Sequence, residues 1–298
     1  MKKFIKKLSL FFIPILIYFG TNIILNYHAY NDVDLNLKKF DILIDGDSHT
    51  HRGINPDKFN NALNISQNGE PYVISFWKIK KVFKKNIPDT LILGFAPHNI
   101  SAFNDLKFSN EKWAYEMFKR SYPIQDYYNL NKKIKLNYYI LFKTWMKFNA
   151  LKIWEDHIQY IGHYENSNLN DPSDWESSIK RHYYEDDNLV GNSETAISYL
   201  DSIVNLCISK NVKLILVSHP VHKTYQTHIP EINLNRFNKL KRKLEKNNTI
   251  IDLTFKKYPD SLFYNSDHLN TDGAERYTNE LIGILKGMQD TLFVANFR

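Results

Sequence analysis

The sequence has a single cysteine among its 298 residues, and it also lacks most of the signatures that assign a chain to a functional class quickly. Cys207 has no second cysteine to pair with, so an internal disulfide is excluded, and its helical surroundings predict a small buried side chain. No zinc-finger spacing, RNA-binding signature, internal repeat or low-complexity tract occurs. We therefore expect no nucleic-acid partner.

Charge is absent from the N-terminal stretch between Leu8 and Tyr27. Its roughly 20 mainly apolar residues match the hydrocarbon thickness of a bilayer. The stretch is longer than a typical signal-peptide core and no A-x-A-like cleavage site follows it, which favours an uncleaved anchor over residues 1–30 rather than a cleaved signal peptide. The positive-inside rule then predicts a single-pass protein of the inner (cytoplasmic) membrane whose main domain, residues 31–298, is extracytoplasmic, because four lysines precede the stretch: Lys2, Lys3, Lys6 and Lys7.

The remaining composition is that of a globular chain. Hydrophobic residues make up 43% of the sequence and charged residues 24%, which excludes wholesale disorder. The formal net charge of +7 comes from lysines scattered along the chain rather than from one basic tract. Such a distribution favours anionic surfaces in general, and bilayer phosphates are one candidate.

Short runs of Ile, Val and Leu recur along the chain and alternate with helical patterns. Continuous apolarity over a few residues is typical of strands buried on both faces, as in a parallel sheet. Strand–helix alternation then predicts a three-layer α/β/α sandwich. The predicted strands are 40–46, 62–67, 89–95, 212–219 and 249–254, and the predicted helices are 71–86, 193–211, 229–247 and 271–288.

One segment interrupts this alternation. Residues 101–190 form an insertion between the third and fourth strands that is far longer than a crossover needs, and it is dense in aromatic residues. A helical cap over the catalytic edge of the sheet and a partner-facing or membrane-facing surface are both compatible with it. Its aromatic side chains would also suit sugar-ring stacking, although such residues in helices more often form core.

Polar residues follow every predicted strand at its carboxyl end, where ligands bind in open parallel sheets. The first group, Gly46-Asp47-Ser48-His49, has two explanations: a strand-to-helix turn with a capping residue, or a nucleophile presented at the strand end. Five such groups at one sheet edge favour a site. The other four are Gln67-Asn68-Gly69, Pro97-His98-Asn99, His219-Pro220-Val221-His222 and the stretch 263–278.

These residue types can support acyl transfer, which needs a nucleophile, a base and donors for the developing oxyanion. Ser48 would be the nucleophile and His268 the base. The backbone N–H groups of Ser48 and Gly69 and the side chain of Asn99 would donate to the oxyanion, since glycine allows close approach of the backbone to a substrate. A helix-initiating turn for Gly69 and a loop cap for Asn99 are the alternatives.

The ordered set of Gly46-Asp47-Ser48, Gly69, Asn99 and the late D-H-L-N stretch around His268 resembles the SGNH (GDSL-type) hydrolase superfamily. The resemblance covers residues 38 to about 288 apart from the insertion. It implies a flavodoxin-like fold with a five-stranded parallel sheet and a serine esterase or O-acyltransferase that needs no metal or other cofactor.

The combination of one membrane anchor with such a domain is similar to bacterial proteins that acylate cell-surface polysaccharides. That similarity implies an acylated glycan substrate and, as a partner, a membrane-bound O-acyltransferase that moves the acyl group across the bilayer. Hydrolysis and transfer both remain open at this stage. A non-catalytic glycan-binding or assembly protein with the same fold is the alternative.

The chain departs from the family pattern in two places. The family's final block is D-x-x-H, and Asn265 occupies the position of its acid. Asp267 is expected to be a poor substitute, because adjacent side chains in an extended segment point apart. An Asn265→Asp change is accordingly expected to raise turnover about tenfold, or about 1.4 kcal/mol of barrier. In the third block, either His98 or Asn99 takes the place of the family's asparagine.

A metal site is a second chemistry to consider. His219, His222 and His228 have the spacing H-x2-H-x5-H, which zinc could accept, but no known signature fixes this spacing. Histidines at the edge of an active site more often form hydrogen bonds to substrate. We therefore predict that His98, His219 and His222 contact substrate and that no metal is bound.

Overall fold

The computed structural model describes residues 1–32, 37–153 and 159–295, with the side chains of 31, 32 and 289–295 left out. The chain divides into two compact units. The first comprises Met1–Leu37 and Lys107–Tyr160, and the second comprises Lys38–Leu106 and Ile161–Arg298.

The strands and helices are as follows. The seven strands in the described part of the chain are β1 (Ile42–Asp45), β2 (Ala62–Asn64), β3 (Thr90–Gly94), β4 (Tyr184–Glu185), β5 (Asn188–Leu189), β6 (Lys213–Ser218) and β7 (Thr249–Asp252). The α-helices there are α1 (Lys2–Asp32), α2 (Ser48–Gly53), α3 (Tyr72–Val82), α4 (Phe103–Leu106), α5 (Glu111–Ser121), α6 (Tyr127–Leu130), α7 (Tyr138–Trp145), α8 (Trp175–Tyr183), α9 (Glu194–Ser209), α10 (Lys223–Gln226), α11 (Glu231–Leu244) and α12 (Thr271–Ala295).

The second unit is built on a five-stranded parallel sheet with the order β2-β1-β3-β6-β7. This is the flavodoxin-like order, with β1 and β3 at the point where the direction of winding changes. The apolar runs predicted from the sequence are these five strands, and the four predicted helices are α3, α9, α11 and α12. The predicted flavodoxin-like α/β fold is confirmed.

Side chains of alternate strand residues face opposite layers of helices. Ile44, Ile92, Ile215 and Ile251 form one buried cluster with Tyr277 and Leu281 of α12. On the other side, α9 packs against β6 and also against α3. Cys207 on α9 is 1% exposed, and burial raises the pKa of its thiol to about 12. Burial of both faces is why these strands read as continuous apolar runs.

The predicted insertion is shared between the units. Its residues 161–190 belong to the second unit, where α8 leads into the short antiparallel pair β4–β5. Residues 107–160 belong to the first unit, where α5 packs against α7 and a π-helical turn, Met146–Ala150, follows α7 and contacts α1.

Helix α1 is long and apolar enough to cross a membrane, by its length and composition, and it alone qualifies among the described helices. The qualifying stretch has 29 residues, Lys2–Tyr30, and its most apolar 18-residue window has a mean hydropathy of 2.1. A signal sequence near an N-terminus meets the same criteria. The predicted membrane helix is therefore present as a helix of suitable length.

Candidate active site

Ser48 is the first residue of α2 and lies just beyond the carboxyl end of β1. The turn between them depends on Gly46, whose φ of +149° is unfavourable for other residues, and a Cβ there would lie 2.4 Å from Thr50 Oγ1. Asp47 caps the helix by accepting a hydrogen bond from His49 N. The capping and nucleophile explanations are thus compatible, because the cap is Asp47 and the candidate nucleophile is the next residue.

The Ser48 hydroxyl is 2.7 Å from Nε2 of His268. His268 lies in a tight reversal before α12, closed by a bridge between Phe263 and Leu269 and by a hydrogen bond from Tyr264 N to His268 O. The histidine is 7% exposed. Burial lowers the pKa of His268 below its ordinary value, against the opposing charge of Asp267, so the ring is neutral near pH 7 and able to accept a proton.

The other ring nitrogen of His268 faces two oxygen acceptors. Nδ1 is 2.9 Å from Asn265 Oδ1 and 3.2 Å from Asp267 Oδ1. The expectation that Asp267 points away from the ring is wrong. Residues 265–268 form a turn in which Asn265 Oδ1 also accepts from the backbone N–H groups of 267 and 268, and the alternation of an extended strand does not apply there.

The orientation of Asn265 is fixed by Asp174. Asn265 Nδ2 donates to Asp174 Oδ2 at 3.1 Å, and the backbone N–H of Ser266 donates to the other oxygen of the same carboxylate. This pairing assigns the amide nitrogen to the Asp174 side, so the amide oxygen faces His268. Asp174, which the sequence reasoning missed, thereby positions the ring through Asn265.

Asp267 is held from several sides by groups that favour its charged form. Its carboxylate is 3.2 Å from Arg181 Nη2, 3.3 Å from His49 Nε2 and 3.6 Å from His182 Nε2, and it accepts a hydrogen bond from Ser178 at 3.0 Å. Burial alone would raise the pKa of this carboxyl. The charge interactions and hydrogen bonds with His268, His49 and His182 outweigh burial and hold the pKa of Asp267 well below its usual range.

Three of these partners were missed by the sequence reasoning. Ser178, Arg181 and His182 all lie on α8, in the predicted insertion, and Arg181 is 86 residues from Asp267 along the chain. No motif or spacing in the sequence relates them to the SGNH-like blocks. The insertion therefore contributes to this site through the part that belongs to the second unit.

His98 and Asn99 both contact Asp47 rather than Ser48. Asp47 Oδ2 is 2.7 Å from His98 Nε2 and 2.8 Å from Asn99 Nδ2. Burial lowers the pKa of His98 to about 4, so the neutral ring donates its Nε2–H to the carboxylate. The pKa of Asp47 is well below its usual range because the hydrogen bonds and charges of His98 and His49 outweigh burial. Both side chains thus fix the position of Asp47, the residue before the candidate nucleophile.

Gly69 lies in the turn between β2 and α3, with a φ of +66° that favours glycine. In the same turn, Gln67 N donates to Gly46 O, which ties this loop to the turn that carries Ser48. The placement after β2 is the one that the resemblance implies. A role of the Gly69 N–H toward an oxyanion stays a prediction.

The spaced histidines at 219, 222 and 228 do not converge. The buried His219 ring packs edge-on against His49, with 4.5 Å between centroids, and its Nδ1 contacts Pro220 O. The ring nitrogens of His222 contact Thr224 and Asp260, and His228 stacks on Trp175 at 3.8 Å. The H-x2-H-x5-H zinc hypothesis is therefore wrong. His222 serves as a helix cap, whereas His219 borders the Ser48 cluster.

Other groupings of side chains have the geometry to hold a cation. His49 takes part in two, one with Asp47 and His98 and one with Asp267 and His268. A cation at either position would displace the hydrogen bonds that join His98 to Asp47 or His49 to Asp267. A cavity of about 20 Å³ beside His49 and His219 has room for one water molecule and not for an acyl group.

No protein-family model and no curated protein matches the chain. Solved structures do match, among them a protein described as a candidate platelet activating factor from Streptococcus pneumonia (10% identity, 94% of this chain and 98% of that one, TM-score 0.43). Two others are a candidate acylhydrolase from Bacteroides fragilis (12%, 89% and 95%, TM-score 0.41) and a GDSL-like lipase from Bacteroides thetaiotaomicron (11%, 88% and 97%, TM-score 0.38).

The fold assignment rests on the strand order β2-β1-β3-β6-β7, with Ser48 directly after β1. In these respects the chain has the flavodoxin-like α/β fold that the sequence predicts.

Proposed function

We propose that this chain is a serine esterase or O-acyltransferase acting on ester-linked acyl groups of a cell-surface polysaccharide. The observation that carries the proposal is the 2.7 Å contact between Ser48 Oγ and His268 Nε2, with Nδ1 of the same ring facing two oxygen acceptors. Acceptors at Nδ1 favour the tautomer with its proton there, which leaves Nε2 free to accept the serine proton.

In the proposed reaction, Ser48 Oγ bonds to the acyl carbon as its proton moves to His268 Nε2. The backbone N–H groups of Ser48 and Gly69 and one amide hydrogen of Asn99 would stabilise the oxyanion. The bond to the leaving alcohol then breaks, and that oxygen takes the proton from Nε2. Water or a sugar hydroxyl, deprotonated in turn by His268, attacks the acyl-serine and restores the free hydroxyl.

Asp267 provides the charge that this sequence of steps needs. When His268 becomes an imidazolium, a carboxylate 3.2 Å from Nδ1 stabilises it, and the low pKa of Asp267 keeps the carboxylate ionised. Asn265 orients the same ring through a neutral hydrogen bond. The two residues together would replace the single acid of the family pattern.

Ester chemistry is also named in the descriptions of two fold neighbours, an acylhydrolase and a lipase. Those descriptions concern those proteins, and the proposal for this chain depends on its own Ser48–His268 pair. We further propose that the acyl acceptor is a sugar hydroxyl of a surface polymer. The partner that supplies the acyl group would be a membrane-bound O-acyltransferase.

The proposed location is the inner membrane, with α1 as a single-pass anchor and the catalytic unit outside the cytoplasm. The length and apolarity of α1 and the four lysines in its first two turns, before the uncharged stretch, support it. Protease added to cells with a permeabilised outer barrier should digest the domain and leave a membrane-retained N-terminal stub. Recovery of the intact chain in the soluble cytoplasmic fraction would overturn the location.

The catalytic proposal is tested by labelling the full chain, in detergent, with a fluorophosphonate followed by mass spectrometry. Displacement of fluoride by Ser48 Oγ should modify Ser48 alone. Labelling should be absent in Ser48→Ala, strongly slowed in His268→Ala and unchanged in the control Ser202→Ala, whose hydroxyl donates to a carbonyl within α9. A folded chain that never labels would instead favour the non-catalytic glycan-binding or assembly protein.

Hydrolysis and transfer are separated by the fate of the acyl group. With an activated acetyl ester and an oligosaccharide present, a hydrolase releases acetate at the rate at which it consumes ester. A transferase forms acetylated sugar at the expense of acetate, and its ester consumption rises with sugar concentration.

A further inference from the structure

Helix α1 carries a polar stripe along its mainly apolar second half. Tyr18, Asn22, Asn26 and Tyr30 recur at every fourth position, and side chains four residues apart share one face of a helix. Asn22 and Asn26 are 5% and 0% exposed, although only 6% of the most apolar window of α1 is buried. From Asn22 to Tyr30 the stripe is therefore the side of α1 that is covered, and Tyr18 is partly exposed.

Backbone carbonyls at the end of the α7 region cover this stripe. Asn22 Nδ2 donates to Ala150 O at 2.8 Å, and Asn26 Nδ2 donates to Asn149 O at 2.9 Å and Lys152 O at 2.8 Å. The Tyr30 hydroxyl donates to Phe148 O at 2.9 Å, and the Tyr18 hydroxyl donates to Leu151 O at 2.7 Å. Each of these four side chains thus donates to an acceptor within the same unit.

The π-helical turn at Met146–Ala150 explains why these carbonyls are available. The last carbonyls of a helix have no partner within it, and a π-helical turn shifts the pattern of bonds further. Because the side-chain donors of α1 bond to these backbone carbonyls, neither group needs water as a hydrogen-bond partner. In hydrocarbon an unsatisfied polar group is strongly unfavourable because no water is present to bind it, so such a contact is suited to a membrane environment.

The outward side of the same segment is apolar. Among the side chains of α7, Thr144 alone is buried, and the exposed side chains are mainly aromatic and aliphatic. Between residues 138 and 153 the large apolar side chains that are 38–69% exposed are Tyr138, Tyr139, Phe142, Trp145, Leu151 and Ile153. A group of exposed apolar side chains of this kind on a soluble protein marks an interaction site.

Lysines and a cleft accompany this surface. Lys143 Nζ is 5.2 Å from the centre of the Tyr139 ring and Lys147 Nζ is 5.1 Å from that of Tyr115, so ammonium groups border the apolar area. A cleft of about 690 Å³ opens between α5 and α7, lined mainly by aromatic and aliphatic side chains. Aromatic rings with flanking lysines are typical of the interface between lipid and water.

We propose that residues 138–153 form a membrane-embedded element that lies beside α1 in one leaflet and contacts phospholipid. The proposal rests on α1 being the membrane anchor. Asn22 lies five residues before Tyr27, the end of the uncharged stretch, or about 8 Å along the helix at 1.5 Å per residue. A segment bonded to Asn22 and Asn26 therefore reaches the depth of about 5–10 Å at which interfacial elements lie.

The test uses the full chain reconstituted in vesicles of zwitterionic and anionic phospholipid. An environment-sensitive fluorophore is attached to Tyr139→Cys, and nitroxide-labelled lipid and aqueous iodide serve as quenchers. Ile232→Cys on α11 is the matched control, 54% exposed and apolar. Native Cys207 is buried, and the unsubstituted chain measures its background labelling.

We expect lipid nitroxide to quench the label at Tyr139 at least about threefold more strongly than the label at Ile232, and iodide to do the reverse. A label at Tyr139 that iodide quenches as fully as at Ile232 would overturn the proposal. Protection from iodide without lipid quenching would also overturn it, since a protein, such as a second copy of this chain, would then cover the surface.

A third label separates failure of this inference from failure of the anchor. Ile17 on α1 is 62% exposed, and a label at Ile17→Cys reports whether α1 is in the bilayer. Lipid quenching at Ile17 without quenching at Tyr139 rejects the embedded element and leaves the anchor intact. Absence of lipid quenching at both positions rejects both.

Discussion

Two buried ionic clusters lie in the sheet unit, and they differ in what they connect to. In one, Lys78 Nζ is 2.6 Å from Asp45 and 2.7 Å from Glu70, and all three side chains are 0% exposed. In the other, Asp267 is equally buried, but its partners His268 and Arg181 lead to the Ser48 hydroxyl and to solvent. Buried charge alone therefore does not identify a catalytic site.

The acids of the two clusters have pKa values shifted in opposite directions. Two carboxyls share one cation in the Lys78 cluster, and burial raises the pKa of Asp45 and brings that of Glu70 to about 8. One proton is therefore retained near neutral pH. Asp267 is one acid among several donors, and its pKa is lowered. The first arrangement holds structure together, and the second keeps a permanent negative charge beside a base.

The largest effect is expected from removing the Ser48 hydroxyl, to which the Asp267 cluster leads through His268. Ser48→Ala should lower kcat on an activated acetyl ester by about 10⁶-fold, the scale found when the nucleophile of a serine hydrolase is removed. The urea midpoint should stay close to that of the native chain, because the lost hydroxyl is only half-buried. Residual turnover within tenfold of the native chain would mean that another group is the nucleophile.

Asp267→Asn should lower kcat by up to about 10⁴-fold, the effect of replacing the acid of a serine protease triad by its amide. The pH profile identifies the cause. His268 must be neutral to act, so kcat/KM falls as the pH drops below its pKa, which burial holds under the ordinary value of about 6.5. Asp267 raises that pKa, so its loss should move the acid limb to lower pH.

A merely structural role for Asp267 would lower activity without moving the acid limb. If both the acid limb of the pH profile and kcat were unchanged in Asp267→Asn, Asn265 alone would be the residue that supports His268. Arg181→Gln is the matched comparison, since it leaves both acceptors of His268 in place. The charge of Arg181 lowers the pKa of His268, so its loss should move the acid limb in the opposite direction, to higher pH.

Lys78→Met breaks the first cluster and should lower the free energy of unfolding by about 3–5 kcal/mol at neutral pH, because two acids remain buried without their cation. Activity per folded molecule should change little. Without Lys78 the folded chain keeps both carboxyls protonated, and unfolding releases those protons above about pH 4.3, so the variant should become less stable as the pH rises. Urea titrations at pH 5 and pH 8 measure this.

A loss of stability that is equal at the two pH values would contradict the account of two acids sharing one cation. Lys58→Met is the matched control, because its ion pair with Glu275 is on the surface and should contribute about 1 kcal/mol or less.

The smallest effect is expected for Asn265→Asp. The sequence alone favoured a tenfold gain, but Asp174 Oδ2 lies 3.1 Å from the amide nitrogen that would become an oxygen. A carboxyl there would retain a proton to keep this contact and would resemble the amide it replaces. We expect kcat to change by less than about threefold, a difference below about 0.7 kcal/mol. A tenfold gain would show that the charge at 265 matters more than its hydrogen bond.

The sequence was sufficient for what depends on local pattern. Apolar runs predicted the five sheet strands, and the ordered blocks around Ser48 and His268 predicted two residues that lie 2.7 Å apart across 220 positions of the chain. The direction of Asp267 was mispredicted because an alternation rule for strands was applied to a turn. Asp174, Arg181 and His182 reach the site only through the folding of a segment with no recognisable pattern.

The pairing of α1 with the segment after α7 also has a consequence for the order of events during synthesis. The hydrogen bonds of the polar stripe join residues 118–133 positions apart. At 5–20 residues per second, a ribosome needs roughly 6–27 s to reach the acceptors after α1 has been made. With α1 inserted as proposed, Asn22 and Asn26 spend that interval without these acceptors, and the polar stripe is completed only after residues 148–152 have been made.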